Sequence, residues 1–390
     1  ATNGGAARAA SALNRAMQQQ GIDSHLTMGH GPRFSAARTL DRQLWHLQRS
    51  PTQTWRSQAR FASITADQIN HSGADVVNLH WVTDGFLSVE ELGRITKPIV
   101  WSMYDMWPFS GTEHYGTDAS SARWRTGYTR QNRPDDERGL DLDRWTYERK
   151  QHHWPPGGTA IHMVPASSWL EQATQASTLM GDWPITRIPH VVDTGAFSPM
   201  SKEQARQQLH LPQQAPLVLF LASAGIADQR KGFDLLEQAL PALAEAHPGL
   251  GLAIAGPRSA TYRPPANIQI HWLGHLNGDD ALRTAYSAAD VLAAPSREDN
   301  MPLTAMEAQT CGVTVVAFRI GGLPDIVTEE TGVLCPPFEV DALAAGLLEA
   351  LDDARVDDTR GPRARERAVD LWSPHAVVPQ YVALYEQVLA

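Results

Sequence analysis

Cysteine is nearly absent, with Cys311 and Cys335 the two in 390 residues. Two thiols in a chain of that length argue against a disulfide scaffold and for a reducing compartment. They are too few and too isolated for a zinc site built on cysteine. Long hydrophobic runs are lacking too. No apolar stretch approaches the ~18 residues of a membrane span, which argues against an integral membrane protein. The opening Ala1–Arg8 has neither the basic start nor the apolar core of a signal peptide. Basic excess is missing: 33 Lys+Arg stand against 43 Asp+Glu, a formal charge of −10. Such a chain is a poor general binder of nucleic acid or anionic membrane. There is no internal repeat, no low-complexity tract and no full G-x-G-x-x-G fingerprint. What is present is ordinary globular material, 42% hydrophobic, and at roughly 150 residues per domain the length fits two or three domains.

Short apolar strands alternate with helical segments. In the first half, residues 6–20 read as a helix, Asp75–Trp81 and Pro98–Met103 as strands, Leu87–Leu92 as helical, Thr159–Pro165 as a strand and Ser168–Gln175 as a helix. In the second half, strands are expected at Pro216–Leu221, Leu252–Ala255, Ile268–Ile270, Val291–Ala294 and Val313–Phe318. Helices are expected at Phe233–Ala246, Asp280–Ala289 and Leu303–Cys311, with a last one at Pro374–Leu389. This pattern predicts two α/β domains with parallel sheets and a cleft between them, separated by the proline-bearing stretch 188–216. A glycine pair ahead of a helix normally follows a strand. None precedes Gly4-Gly5, so a start lacking some residues is expected.

Residues 117–158 break the alternation. They carry Trp124, Tyr128, Trp145, Tyr147 and Trp154 among many charges, with eight Lys/Arg and six Asp/Glu between Arg123 and Lys150. That near balance speaks against a nucleic-acid patch. Loops this long are functional or disordered, and a solvated insertion is the plainer alternative.

Four places carry candidate chemistry. Pro295–Ala308 follows a strand and opens a helix, with Pro302 expected at the first helical position. The N–H groups of such a helix start form an anion site. Asp299 before it and Glu307 within it suit a ligand with phosphates at one end and hydroxyls at the other; the alternative is that Asp299 caps the helix and Glu307 is exposed. Gln229-Arg230-Lys231-Gly232 places two cations on a strand-to-helix loop, where they can neutralise a diphosphate or form a solvated turn. Gly4-Gly5 with Arg8 allows close backbone approach or is a loose end. His80 closes a predicted strand, at the ligand edge of a parallel sheet, or is a satisfied core histidine. His152 and His153 are adjacent and make no i, i+4 metal pair.

Taken in order, these motifs resemble the retaining glycosyltransferases of family 4 over nearly the whole chain. The resemblance rests on Gly4–Ala10, Asp75–Trp81, Ser167–Leu170, Ile188–Thr194, Arg230–Asp234, the acid pair Asp299 and Glu307 in an E-x7-E spacing, Gly321–Asp325 and Thr331–Leu334. Met106–Gly111 points to a subgroup found in bacterial exopolysaccharide, capsule and O-antigen clusters. The chain departs from the family at several places. Asp299 replaces the first Glu, with Glu298 beside it, and either is the acid that reaches the sugar. Ala224 and Gly225 stand where an arginine is usual. Tyr104 stands for a histidine, His190 for an asparagine, and the region after Phe109 has no cysteines.

The resemblance implies a GT-B fold: two Rossmann-like domains at 1–190 and 191–372 facing a central cleft, and a helix at 373–390 packing back on the first. It implies transfer of a sugar from a nucleoside-diphosphate sugar to a glycan or lipid-linked acceptor in surface polysaccharide biosynthesis, with retention and with no metal or resident cofactor. His80, Lys231 and Asp299 are the expected catalytic residues. Gly4, Gly5, Arg230, Lys231, Glu298, Asp299, Asn300, Met301, Leu303, Thr304 and Glu307 are expected to bind the donor. Arg8, Tyr104, Trp124 and Arg125 are expected on the acceptor side. The expected location is the cytoplasm, with peripheral contact at the inner face of the membrane, and no nucleic-acid partner. The alternatives are another GT-B enzyme (a nucleotide-sugar 2-epimerase or a phosphorylase) and a non-enzymatic sugar-binding protein on the same fold.

Overall fold

The computed structural model describes residues 4–51, 55–154, 161–265, 268–356 and 359–390. Thr159 and Ala160, expected to begin a strand, and residues 155–158 of the expected insertion lie outside them, as do Ala1–Asn3. The chain divides into two compact units. Unit 1 holds the residues up to Asn14, Gly21–Ile188 and Pro379–Ala390; unit 2 holds Arg15–Gln20 and Pro189–Val378.

Unit 1 contains the antiparallel pair β1 (Gln48–Arg49) and β4 (Arg138–Gly139), and a parallel sheet ordered β2-β3-β5 from β2 (Val77–His80), β3 (Ile99–Met103) and β5 (Ile161–Pro165). Every residue of β3 and β5 is buried, the signature of parallel strands covered on both faces. The helix Ser168–Gln175 starts at Ser167, whose Oγ accepts from the Leu170 N–H at 3.1 Å. Tyr381 and Tyr385 of the last helix, Pro374–Leu389, hydrogen-bond to Ser102 at 2.9 Å and to Asn78 at 2.8 Å.

Residues 117–154 are not a structureless excursion. They contain the helix Leu142–His153, a short helix Arg123–Thr126 and β4. Four of their five aromatics, Trp124, Tyr128, Tyr147 and Trp154, are buried in the core of unit 1, while Trp145 is exposed. Their charges pair among themselves and with the preceding segment. Arg56 meets Asp143 at 2.5 Å and Glu137 at 3.3 Å, and Arg123 meets Asp141 at 2.8 Å.

Unit 2 is a six-stranded all-parallel sheet ordered β11-β10-β9-β6-β7-β8. Its strands are β6 (Leu217–Leu221), β7 (Gly251–Ala255), β8 (Gln269–Gly274), β9 (Val291–Ala294), β10 (Thr314–Phe318) and β11 (Gly332–Cys335). The helix Phe233–Ala246 buries Leu236, Leu240 and Leu243, and the helix Val340–Val356 buries Leu343, Leu347 and Leu351 in the same core. The sequence reading passed over Val340–Val356 and the following helix Arg360–Trp372, although apolar residues at i, i+4, i+8 mark the first. The order places β6 beside β9, with Val218 opposite Val291. Chain progress reverses between these two strands: β7 and β8 lie to one side, β9 to β11 to the other. Such a switch point opens a crevice at the carboxyl ends of the strands, the usual ligand position in open α/β sheets.

Candidate active site

The loops that leave β6 and β9 flank that switch point. After β6, Gln229–Lys231 form a single 3-10 turn and Gly232 takes a left-handed conformation (φ 69°) before the helix Phe233–Ala246. After β9, residues 295–302 lead into the helix Leu303–Thr310. Pro302 is the N-cap of that helix rather than its first residue, one place earlier than expected; its ψ of 119° is extended. The N–H groups of Leu303 and Thr304 open the helix and, like those of any first turn, have no intrahelical carbonyl.

The two loops are tied together. The Arg297 N–H donates to the Arg230 carbonyl at 2.8 Å, and the Arg297 guanidinium pairs with Asp234 at 2.6 Å. Lys231 Nζ lies 2.5 Å from Asp299 Oδ2, with Arg230 3.4 Å from the same oxygen and Ser296 Oγ donating to it at 3.2 Å. Arg230 also donates to the Glu298 carbonyl at 2.9 Å. Burial alone would push the Asp299 carboxyl up. Lys231 first, then Arg230 and the hydrogen bonds of Lys231 and Ser296, outweigh that and hold its pKa below the usual aspartate value. Glu298 goes the other way, raised by burial against the opposing pull of Arg230. Asp299 therefore stays a carboxylate between two cations and caps nothing.

Glu307 is buried, not the exposed helix residue of the plainer alternative, and its Oε2 accepts from the Tyr286 hydroxyl at 2.9 Å. Asn300 and Met301 are buried in the loop, and Leu303 and Thr304 are half-buried. Ser296 and Tyr286, which touch the two acids, escaped the sequence reading. Ser296 lies inside the motif, whereas nothing in the sequence points to Tyr286.

The remaining expected site residues belong to unit 1. His80 ends β2, and its Nδ1 lies 2.9 Å from the Tyr104 hydroxyl. Burial raises the Tyr104 pKa well above its ordinary value, so the phenol stays neutral. Gly4 and Gly5 are exposed at the start of the helix Gly5–Gln19, and the Arg8 N–H donates to the Gly4 carbonyl at 3.1 Å. A cavity of about 330 Å³ lies against Ala6, Ala7, Leu79, His80 and Trp81.

Trp124 does not present its ring to a ligand. It is 3% exposed, packs on Phe109 and donates its Nε1 to the Thr117 carbonyl at 2.9 Å. The large apolar ring is worth more in the core than at a surface, so the acceptor-side contact expected of Trp124 is not available to its ring. Arg125 lies over the Trp124 ring at 4.0 Å, 3.9 Å from Asp118. Among the described residues, no group of three or more His, Cys, Asp or Glu is arranged to hold a metal ion, and no helix is long and apolar enough to cross a membrane.

Residues 201–367 match the family described as "Glycosyl transferases group 1". That match lies within unit 2. The D-inositol 3-phosphate glycosyltransferase of Actinosynnema mirum is 36% identical over 199 residues, covering 45% of this chain and 47% of that protein. A GDP-mannose-dependent monoacylated alpha-(1-6)-phosphatidylinositol monomannoside mannosyltransferase of Corynebacterium glutamicum is 31% identical over 201 residues, covering 48% and 52%. The chain spans about half the length of these curated relatives. Likeness of fold extends further. The sucrose-phosphate synthase of Thermosynechococcus elongatus superposes with a TM-score of 0.64 at 19% identity, covering 99% of this chain and 94% of that one. HepE of Anabaena, solved in complex with UDP-glucose, gives 0.56 at 14% identity, covering 99% and 90%. The fold is GT-B, and the cations and acids described above lie in the segment that matches group 1.

Proposed function

We propose that this chain is a retaining glycosyltransferase that moves a sugar from a nucleoside-diphosphate sugar to a glycan or lipid-linked acceptor in surface polysaccharide biosynthesis, on the cytoplasmic side of the membrane. The observation that carries the reading is the convergence of Lys231 and Arg230 on Asp299 beside the β6/β9 switch point, inside the segment that matches group 1.

Lys231 and Arg230 meet at Asp299, with Asp228 3.9 Å from Arg230, and the two cations stand together on the loop where a diphosphate is proposed to bind. As the bond from the sugar anomeric carbon to the diphosphate oxygen breaks, negative charge grows on that oxygen. Lys231, already oriented by Asp299, meets it without rearrangement, and the N–H groups of the helix start add donors. Glu307, held by Tyr286, takes the ribose hydroxyls. Asp299, with Glu298, Asn300 and Met301, positions the transferred sugar, and His80 contacts it. The acceptor hydroxyl attacks on the face the diphosphate leaves, its proton passes to the departing phosphate, and configuration is retained. The reaction needs no metal.

The test is release of nucleoside diphosphate from a panel of UDP-, GDP- and ADP-sugars. Offered acceptors include inositol phosphate and a phosphatidylinositol mannoside, which relatives carry in their names, and lipid-linked glycans, the acceptor class proposed above. A nucleotide at 100 times its Kd stabilises the protein by about 2.7 kcal/mol. Glu307→Ala weakens donor binding, Lys231→Ala slows transfer, and activity persists in excess EDTA. No release and no thermal shift with any nucleotide overturns the reading; full loss in EDTA restored by Mg²⁺ overturns metal independence.

A further inference from the structure

The residue after His80 is in an unusual backbone state. Trp81 has φ 35°, in the left-handed region that a bulky aromatic rarely adopts. Such strain persists only where the surroundings over-determine it. Here they do. Trp81 Nε1 donates to Asp105 Oδ2 at 3.0 Å, and the same oxygen lies 2.6 Å from His114 Nδ1, while Asp105 Oδ1 accepts from the Trp107 N–H at 3.0 Å. His114 Nε2 in turn lies 2.8 Å from Ser57 Oγ. The imidazole is flanked by Trp81 and Trp107, with ring centroids 5.5 and 6.4 Å away. Ser57, Asp105 and His114 are 2%, 7% and 3% exposed.

A Ser–His–Asp chain has the connectivity of an acyl-transfer triad. With Ser57 2% exposed, its hydroxyl offers a substrate no approach, so nucleophilic chemistry is excluded and the chain acts by orienting. What it orients follows from the register of two neighbouring loops. Residues 80 and 81 face 104 and 105 as two rungs: His80 Nδ1 to the Tyr104 hydroxyl, and Trp81 Nε1 to Asp105. The second rung is anchored by His114 and Ser57; the first holds the imidazole of His80. A glycine at 81 would take this backbone state without strain, but would lack the indole that makes the second rung. His80 and Trp81 both line the unit 1 cavity.

We propose that Asp105 and His114 are positioning residues: through Trp81 they fix the backbone that aims His80 and keep its Nδ1 on Tyr104. The inference rests on the assignment of His80 to the transferred sugar. It has two independent tests. The first is a kinetic cycle of Trp81→Phe, His80→Ala and the double variant. Trp81→Phe is expected to lower kcat by about a hundredfold, the scale of an ångström misplacement, with donor KM and Tm nearly unchanged. The double variant is expected to be no slower than His80→Ala alone, because Trp81 acts through His80. Multiplying effects, or a fall in Tm with kcat intact, overturn the proposal. The second needs no activity. Crystal structures of Asp105→Asn and Trp81→Phe are expected to show residue 81 relaxed out of the left-handed region and His80 Nδ1 separated from the Tyr104 hydroxyl. If that bond survives in both, the positioning role is refuted, whatever the assays show. If Lys231→Ala and His80→Ala both transfer normally while the bond opens in the crystals, the sugar-transfer assignment fails and the positioning geometry stands.

Discussion

Arg56 in unit 1 and Lys231 in unit 2 each approach an aspartate at 2.5 Å, and in each case the aspartate is almost wholly buried. The surroundings then diverge. In unit 1, Arg56 and Arg123 face four acids: Asp143, Glu137, Asp141 and Glu113. Gln48 and Thr112 donate to Asp143, and Tyr128 donates to Glu113. Burial and the neighbouring Asp143 push the Glu113 carboxyl up to about 7 against the pull of Arg56, so the negative surplus is relieved by a proton. In unit 2, Lys231 and Arg230 converge on Asp299, which is held ionised, and Arg230 also lies 3.9 Å from Asp228. Burial and ion pairing are common to both clusters; the state of the acids separates them, Glu113 being pushed toward its neutral form and Asp299 held charged. The first cluster holds a segment in place; the proposed role of the second is to present Lys231 and Arg230 to a diphosphate.

The largest expected effect breaks the unit 1 cluster. Asp143→Ala takes from Arg56 its nearest acid and from Gln48 and Thr112 their shared acceptor, and should cost about 3–5 kcal/mol, the scale for breaking a buried pair, read from urea unfolding, with nucleotide release per folded molecule unchanged. The counterpart in unit 2 should invert that pattern. Lys231→Ala should slow transfer by about 10- to 100-fold, since a hydrogen bond to a charged group is worth about 1.5–3 kcal/mol, with little change in the urea midpoint. A Lys231 variant that loses stability but not rate would erase the distinction.

The smallest effect is in pH, where the units should lean opposite ways. Glu113, raised from 4.5 to about 7, contributes stability that is complete below pH 4.5 and lost as pH climbs to about 7. His190, in unit 2, is driven by burial from 6.5 down to about 4; its contribution is complete above pH 6.5 and lost as pH falls toward 4. Between pH 4.5 and 6.5 the two slopes oppose. Glu113→Gln should leave stability rising more steeply with pH than in the parent, and His190→Asn should leave it falling. Parallel melting curves for all three proteins would remove Glu113 and His190 as the source of any pH dependence.

What could be read in the sequence is what is local. Alternating strands and helices, the loop at Arg230-Lys231 and the acids at 299 and 307 each lie within a few residues of the strand end that presents them. What could not be read is what distant residues decide. The aromatics of 117–158 look like a binding surface until Trp124 is found on Phe109 and Trp154 on Trp101. Those contacts join segments the linear pattern keeps apart. Asp105 and His114 were in view beside Met106–Gly111, but their partner Ser57 is 57 residues from His114 in the chain, and no spacing rule links them. Pro302 was misplaced by one residue because N-cap and first helical position differ in ψ, which composition does not encode.

The group 1 site is drawn partly in residues that have no side chain. Gly232 (φ 69°) and Gly321 (φ 50°) both sit in left-handed conformations, and a β-carbon at either would fall far inside contact with a backbone carbonyl, that of Pro295 at the first and that of Asp299 at the second. Neither obstacle is a flexible side-chain tip that could swing aside. In evolutionary terms the two positions are constrained by their backbone surroundings: the acids, cations and hydroxyls on these loops can be exchanged in place, but a methyl group at 232 or 321 would have to push the loops apart. Selection for a new sugar would therefore vary what hangs on these loops and keep the gap between them.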